Sequence, residues 1–205
     1  MQRPTAIFRL KLATVLAGSA LLLDVANAAT PQFNAVDIGS LGGSSGADID
    51  SKQSWWYGTT ASAYTIANGI NNSGQVVGVS VTTMFDAYGL PVHHAFLYSG
   101  ATMTDLGTLI GPTNNSVANA INDIGQVVGG SDANYINMDG DPVITFEPFL
   151  YCGNAMTGLA FPQVCAVPGG SASGININGQ IVGTVYNSCT VYAFLYSGAT
   201  FSYFR

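Results

Sequence analysis

The stretch Ala120-Ile121-Asn122-Asp123-Ile124-Gly125-Gln126-Val127-Val128-Gly129 decides how this chain folds. Apolar residues on either side enclose a polar tetrad that opens with Asn and closes with Gly. An Asn side chain accepts a hydrogen bond from the backbone two residues on, and Gly takes positive φ without a steric cost. Asn first and Gly fourth are the preferences of a type I turn closed by a Gly bulge. The stretch therefore reads as strand, turn, strand. The same pattern recurs at Gly69–Gly78 and Gly174–Gly183, so the isoleucine before the turn returns at spacings of 51 and 54 residues.

A second motif keeps phase with the first. His94-Ala95-Phe96-Leu97-Tyr98-Ser99-Gly100 returns as Glu147 to Gly153 and as Tyr192 to Gly198. A third, Asp105-Leu106-Gly107-Thr108-Leu109, has a partner in Asp37-Ile38-Gly39-Ser40-Leu41-Gly42-Gly43. Each unit then reads as four short strands. In the first-motif numbering, strand two is Gln126 to Ser131. Strand three is Ala95 to Ser99, and strand four is Met103 to Leu106. The predicted fold class is all-β: repeated four-stranded antiparallel units of about 50 residues, β-propeller-like, with the ring incomplete or open. A four-bladed ring with one poor blade, an open arc, half of a dimeric ring and a piece of a longer chain all remain open. The segment 29–60 is irregular. It reads as a degraded copy or as an insertion before the first good repeat, and the repeats proper span about 61–205.

Taken together, these motifs resemble the HAF repeat of bacterial extracellular proteins, named for His-Ala-Phe and flanked by Ile-Asn-x-x-Gly-Gln-Val-Val-Gly and Asp-Leu-Gly-Thr-Leu-Gly-Gly. The resemblance covers nearly all of the chain after its leader. It implies a secreted, propeller-like protein and brings no catalytic residues with it. The chain departs from the pattern in two copies, where Glu147 and Tyr192 stand in the place of His94.

Residues 1–28 have the order of a secretory signal peptide. Arg3, Arg9 and Lys11 precede the apolar run Leu12 to Leu23, and Ala26-Asn27-Ala28 follows as a small-residue cleavage site. The run is shorter than the ~20 residues a membrane span needs. Beyond it the chain keeps only Lys52 and Arg205 as cations against ten acids, a formal charge of −8. Two cations cannot neutralise a phosphate backbone or attract an anionic bilayer, so no nucleic-acid partner is expected, and with no second apolar run of that length no membrane insertion is expected either. An exported chain meets oxidising conditions, which favours one disulfide among Cys152, Cys165 and Cys189. The strand assignment puts Cys165 and Cys189 on one rim and Cys152 on the other, so Cys165–Cys189 is the expected bridge and Cys152 the free thiol.

Few residues carry recognisable chemistry. His93 and His94 are adjacent, and neighbours on a strand point to opposite faces, so they cannot both ligate one metal ion from a regular strand; against a ligand role for His94 stands a surface or inter-blade His satisfied by hydrogen bonds. Asn137-Met138-Asp139-Gly140-Asp141 has the alternating oxygens of a Ca²⁺ loop but lacks its length and terminal carboxylate, and Asp139-Gly140 is a strong hairpin signal. No cofactor is expected, with Ca²⁺ at this loop the one candidate. There is no nucleophile elbow and no phosphate loop. Asp48 and Asp50 are candidate paired carboxylates, and Trp55, Trp56 and Tyr57 are candidate sugar-stacking aromatics. The long connections between strands two and three differ between copies and mark a loop surface for binding, with Asp86, Tyr88, His94, Asn137, Asp139 and Asp141 as candidates. The expected function is a secreted repeat protein binding a glycan or a cell-surface partner without catalysis. Two alternatives stand beside it: a propeller-type hydrolase with an acidic or Ca²⁺-assisted site, and a purely structural piece of a larger surface protein. A homodimer is one way to complete the array.

Overall fold

The computed structural model describes residues 38–42, 64–137, 139–159, 169–186 and 190–204. It divides into two units, Met1–Val36 and Asp37–Arg205, and every described residue lies in the second. That unit is all-β. It holds twelve strands in three separate four-stranded antiparallel sheets, each a simple meander in chain order. The first sheet is β1 (Thr65–Ile70), β2 (Val76–Phe85), β3 (Pro91–Ser99) and β4 (Thr102–Gly107). The second is β5 (Ser116–Ile121), β6 (Val127–Ile136), β7 (Pro142–Cys152) and β8 (Ala155–Gly158). The third is β9 (Gly169–Ile175), β10 (Ile181–Tyr186), β11 (Val191–Ser197) and β12 (Thr200–Phe204). The three copies legible in the sequence are these three sheets.

The Asn-x-x-Gly-Gln turn forms as expected. Asn122 Oδ1 accepts from the amides of Ile124 (3.2 Å) and Gln126 (2.9 Å), the Gly125 amide donates to Asn122 O, and Gly125 has φ 80°. Asn71 and Asn176 repeat these bonds in the other sheets. The amide nitrogen of the same side chain works across sheets. Asn71 Nδ2 donates to Gln75 Oε1 (2.8 Å) and to Asn122 O in the second sheet (3.0 Å). Asn122 Nδ2 donates in turn to Gln126 Oε1 (2.7 Å) and to Asn176 O in the third (3.0 Å). An Asn ladder thus joins the three turns and aligns that end of the sheets.

A second ladder comes from a feature the sequence reading lacked. Each pairing of a first strand with a second is interrupted by a register shift, at Ala67/Gly69, Ala118/Ala120 and Val182/Gly183. A bulge leaves one residue unpaired and re-aims its side chain. In two sheets that residue is Asn. Asn68 Nδ2 donates to Ala118 O (2.9 Å) and Asn119 Nδ2 to Ala172 O (2.7 Å). The same bulge explains the last glycine of the motif, since a Cβ on Gly129 would overlap the carbonyl oxygen of Val117.

Apolar side chains fill the space between sheets. Val77, Ala95 and Leu106 of the first pack with Ala118, Ile121, Val127 and Phe149 of the second. Val128 of the second and Leu159, just beyond β8, pack with Ala172, Ile181, Val185 and Phe194 of the third. Adjacent valines of the motif, Val127 and Val128, are both fully buried because they serve opposite interfaces.

One expectation needs adjusting. Strands two and three are longer than read: β6 continues to Ile136 and β7 starts at Pro142, so the supposed long connection is mostly paired ribbon. The described part of the Asp37–Gly43 motif, residues 38–42, bonds as its partner motif does. The Leu41 amide donates to Ser80 Oγ (3.0 Å) as the Leu109 amide donates to Ser131 Oγ (3.0 Å). Both Leu41 and Tyr64, whose carbonyl accepts from the Val81 amide, are tied to the first sheet. Residues 43–63 between them, with Asp48, Asp50, Trp55, Trp56 and Tyr57, lie outside the described residues.

The ladder predicts a graded result. Asn122→Asp keeps the turn acceptor but sets a carboxylate oxygen against the Asn176 carbonyl, and should cost about 2 kcal/mol in denaturant unfolding. Asn176→Asp, at an exposed turn with no such inter-sheet bond to lose among the described residues, should cost clearly less. Equal losses would deny the ladder its role.

Candidate functional site

Because the ladder gathers the β1–β2, β5–β6 and β9–β10 turns, the β2–β3, β6–β7 and β10–β11 hairpins leave their sheets at the opposite end. These hairpin tips carry most of the sequence-predicted binding residues. The first tip repeats the Asx turn: Asp86 Oδ1 accepts from the amides of Tyr88 (2.9 Å) and Leu90 (2.8 Å), and Gly89 has φ 76°. Tyr88 at its apex is 89 % exposed, with Phe85 and Leu90 each 58 % exposed beside it. At the second tip Asn137 Oδ1 accepts from Asp139 (3.0 Å) and Asp141 (2.8 Å), with Ile136 and Ile144 exposed. Asn137 Oδ1 thus serves the turn, as the hairpin reading of Asp139-Gly140 expects. Among the described residues no three His, Cys, Asp or Glu side chains come together as metal ligands. The third tip shows Tyr186 and Val191 exposed, with 187–189 outside the described residues.

His94 is not on this surface. It is 1 % exposed, and both ring nitrogens are engaged: Nδ1 lies 2.8 and 2.9 Å from the Asp105 carboxylate oxygens and Nε2 lies 3.0 Å from Pro112 O. It borders an open cleft of about 410 Å³ with Met84, Thr108, Gly111 and Pro112. Thr108 Oγ1 is bonded to Gly111. No ring nitrogen is left for a substrate, so the arrangement ties β3, β4 and the link to β5 together. His93, on the other face of the strand, stacks on Tyr64 with ring centroids 4.9 Å apart. Burial holds the His93 pKa below its ordinary 6.5, against the opposing hydrogen bond of Asn115 and with the charge of His94 adding to the drop.

The same seat is filled differently in each sheet, and its cross-strand neighbour changes with it. His94 faces Asp105; Glu147 faces Gly158; Tyr192 meets Tyr203 edge-on at 6.4 Å between ring centroids. A Cβ on Gly158 would stand 2.9 Å from Glu147 Oε1, so a carboxylate there would collide with another. The residues at this position therefore vary together with the residue they meet across the strand, and of the three only His94 is fully buried.

The cysteines fall partly outside the described residues. Cys152 is exposed in the position that Ser99 and Ser197 fill elsewhere, and Gln126 Nε2 lies 3.9 Å from its sulfur as Gln75 and Gln180 reach those serines. Cys165 and Cys189 are not described. Gly169 pairs with Tyr186, however, and Tyr186 with Val191, so the strand ends that lead to both cysteines are neighbours.

No protein-family model matches this chain, and neither does any curated protein or solved structure. The geometry must carry the functional reading by itself.

Two outcomes check this site. Burial pushes the Asp105 carboxyl up, but hydrogen bonds from His94 and the Gly107 amide, with the charge of His94, outweigh it and hold its pKa below 3.8. A depressed acid stabilises the fold above its unfolded pKa, and that contribution fades as pH falls through the folded value. Burial raises Glu147 above 4.5, so its ionisation opposes folding as pH climbs past that point. Asp105→Asn should lose stability at neutral pH and converge on the parent below about pH 3.8, whereas Glu147→Gln should gain only above pH 4.5. Urea midpoints across pH 3–7 read both, and parallel profiles would refute the assignment. Second, a peptide map of unreduced protein should show Cys165 joined to Cys189 and Cys152 open to alkylation. Reducing that bridge should cost about 3 kcal/mol.

Proposed function

We propose that this is a secreted, propeller-like repeat protein of the HAF type that binds a glycan through the tips of its β2–β3 and β6–β7 hairpins, without catalysis. The observation that carries this reading is the first tip. A tyrosine 89 % exposed contributes almost nothing to packing, yet it stands on a rigid Asx turn between two more exposed apolar side chains and beside a carboxylate. An aromatic face with adjacent hydrogen-bonding oxygens is the chemistry that grips a sugar ring: the CH face stacks and the hydroxyls bond. The net charge of −8 after the leader disfavours sulfated or uronic acid polymers, so the ligand is a neutral glycan. Export follows from the leader of residues 1–28, and the meander of four strands per repeat supports a blade-like arrangement. A cell-surface protein is the competing ligand for the same tips.

Glycan-array binding, followed by titration of the best hit, tests the proposal. Tyr88→Ala should weaken binding by roughly 30-fold, the worth of a stacked aromatic anchor of about 2 kcal/mol, with unfolding unchanged. An array without hits, or a hit indifferent to Tyr88→Ala and to Asp139→Ala alike, would sink the glycan reading.

A further inference from the structure

The two ends of the three-sheet stack expose matching halves of an interface that the chain already makes twice. In both internal interfaces one sheet offers a valine of its second strand and an apolar residue at or just beyond the end of its fourth. These are Val77 with Leu106, then Val128 with Leu159, and all are at most 7 % exposed. The equivalent residues of the third sheet are Val182 and Phe204, which are 47 % and 54 % exposed. The receiving sheet offers an alanine and an isoleucine of its first strand. Ala118 with Ile121 sit in the first interface, and Ala172 with Ile175 in the second. The equivalents in the first sheet are Ala67, which is exposed, and Ile70, which is 69 % exposed.

The Asn ladder is open at the same two ends. Asn71 and Asn122 each pass one amide hydrogen to the turn carbonyl of the following sheet. Asn176 donates only to its own Gln180 Oε1 (2.7 Å), and among the described residues its second amide hydrogen has no partner. At the other end Asn71 O accepts from its own turn amide at Gly74 but from no preceding Asn side chain among the described residues.

We propose that the outward face of the third sheet docks on the inward face of the first sheet of a second copy of this chain, head to tail, with Asn176 donating to Asn71 O of that copy. The occupant is a second copy because the receiving face, its spacing and its hydrogen-bond acceptor are all carried by this same chain. A heterologous contact of this kind closes a ring if the rotation permits and grows otherwise. It is also weaker than the internal interfaces, for two reasons. Ser173 stands where Asn68 and Asn119 make the second ladder and turns back to Val182 O of its own sheet (3.4 Å). The outer part of the first sheet's inward face is already covered, with Val92 and Phe96 fully buried. The association is therefore concentration-dependent.

The test uses two charge substitutions at exposed positions, Val182→Asp and Ile70→Asp, each checked for an unchanged circular dichroism spectrum. Sedimentation velocity of the parent protein should show reversible self-association with rising concentration. Each variant alone should be monomeric, its dissociation constant weakened at least ~100-fold by a buried, unpaired carboxylate. Mixed together, the two should form a one-to-one dimer, because one retains an intact outward face and the other an intact inward face. A parent protein that stays monomeric throughout would overturn the proposal. So would a dimer that Ile70→Asp leaves untouched while Val182→Asp destroys it, since that marks two third sheets meeting face to face.

Discussion

In the first two sheets one side chain holds both the turn and the stack. The carboxamide of Asn122 accepts two backbone amides of its own turn, donates to Gln126, and donates again to the neighbouring sheet. No other residue can do this. Asp offers the acceptors without the donor, Ser is too short to cross, and Gln would displace its oxygen from the turn amides. Because the bonds share one rigid plane, the geometry of the hairpin sets the separation and register of the sheets. A polar side chain 5 % exposed would be costly if any bond were missing. Among the described residues no buried side-chain nitrogen or oxygen lacks a partner.

Much of this was legible in advance, and what was missed has a common cause. Repetition exposed the unit, and the turn chemistry of Asn and Gly is local, so sequence alone carried the meander and its three copies. The bulge at Asn68 and Asn119 was not legible, because a register shift depends on the partner strand. Its one trace was the invariant last glycine of the motif within this chain, Gly78, Gly129 and Gly183, where a side chain would strike the bulged strand. Strand length was underread for a related reason. The ends of β2 and β6 are polar or exposed and lose the alternation that marks a strand, although their ribbon pairing continues to the Asx turn. The sequence left His94 between a surface place and one between sheets satisfied by hydrogen bonds, and its 1 % exposure with both ring nitrogens engaged decides for the second.

Variation between copies turns out to have two meanings. At the seat of His94, Glu147 and Tyr192 the residues vary, but each change is answered across the strand by Asp105, Gly158 or Tyr203. Such variation is bounded by packing, because the occupant must fill the same space and satisfy its own polar atoms. At the hairpin tips the variation is unanswered. Tyr88, Leu90 and Ile144 differ from their counterparts, and solvent surrounds them. Paired drift and surface specialisation look alike in an alignment of the three copies; the presence of a cross-strand partner separates them.

A stack in which each sheet touches only its neighbours distributes stability unevenly. The second sheet has both faces covered, through Val127 on one side and Val128 on the other, and holds donor and acceptor places in both ladders. The first and third sheets each lack one such neighbour among the described residues. The third is also the sheet that departs from the ladder, with Ser173 for Asn and Ile177 where Asn72 and Asp123 pair across the turns. Departure at an end is what a nearest-neighbour array tolerates, since an unmatched donor facing water costs little while one between sheets costs a buried bond. The third sheet keeps the apolar half of the interface, Val182 and Phe204, after losing most of the polar half. Hydrophobic contact sets how strongly such a face binds; the missing amides reduce how specifically.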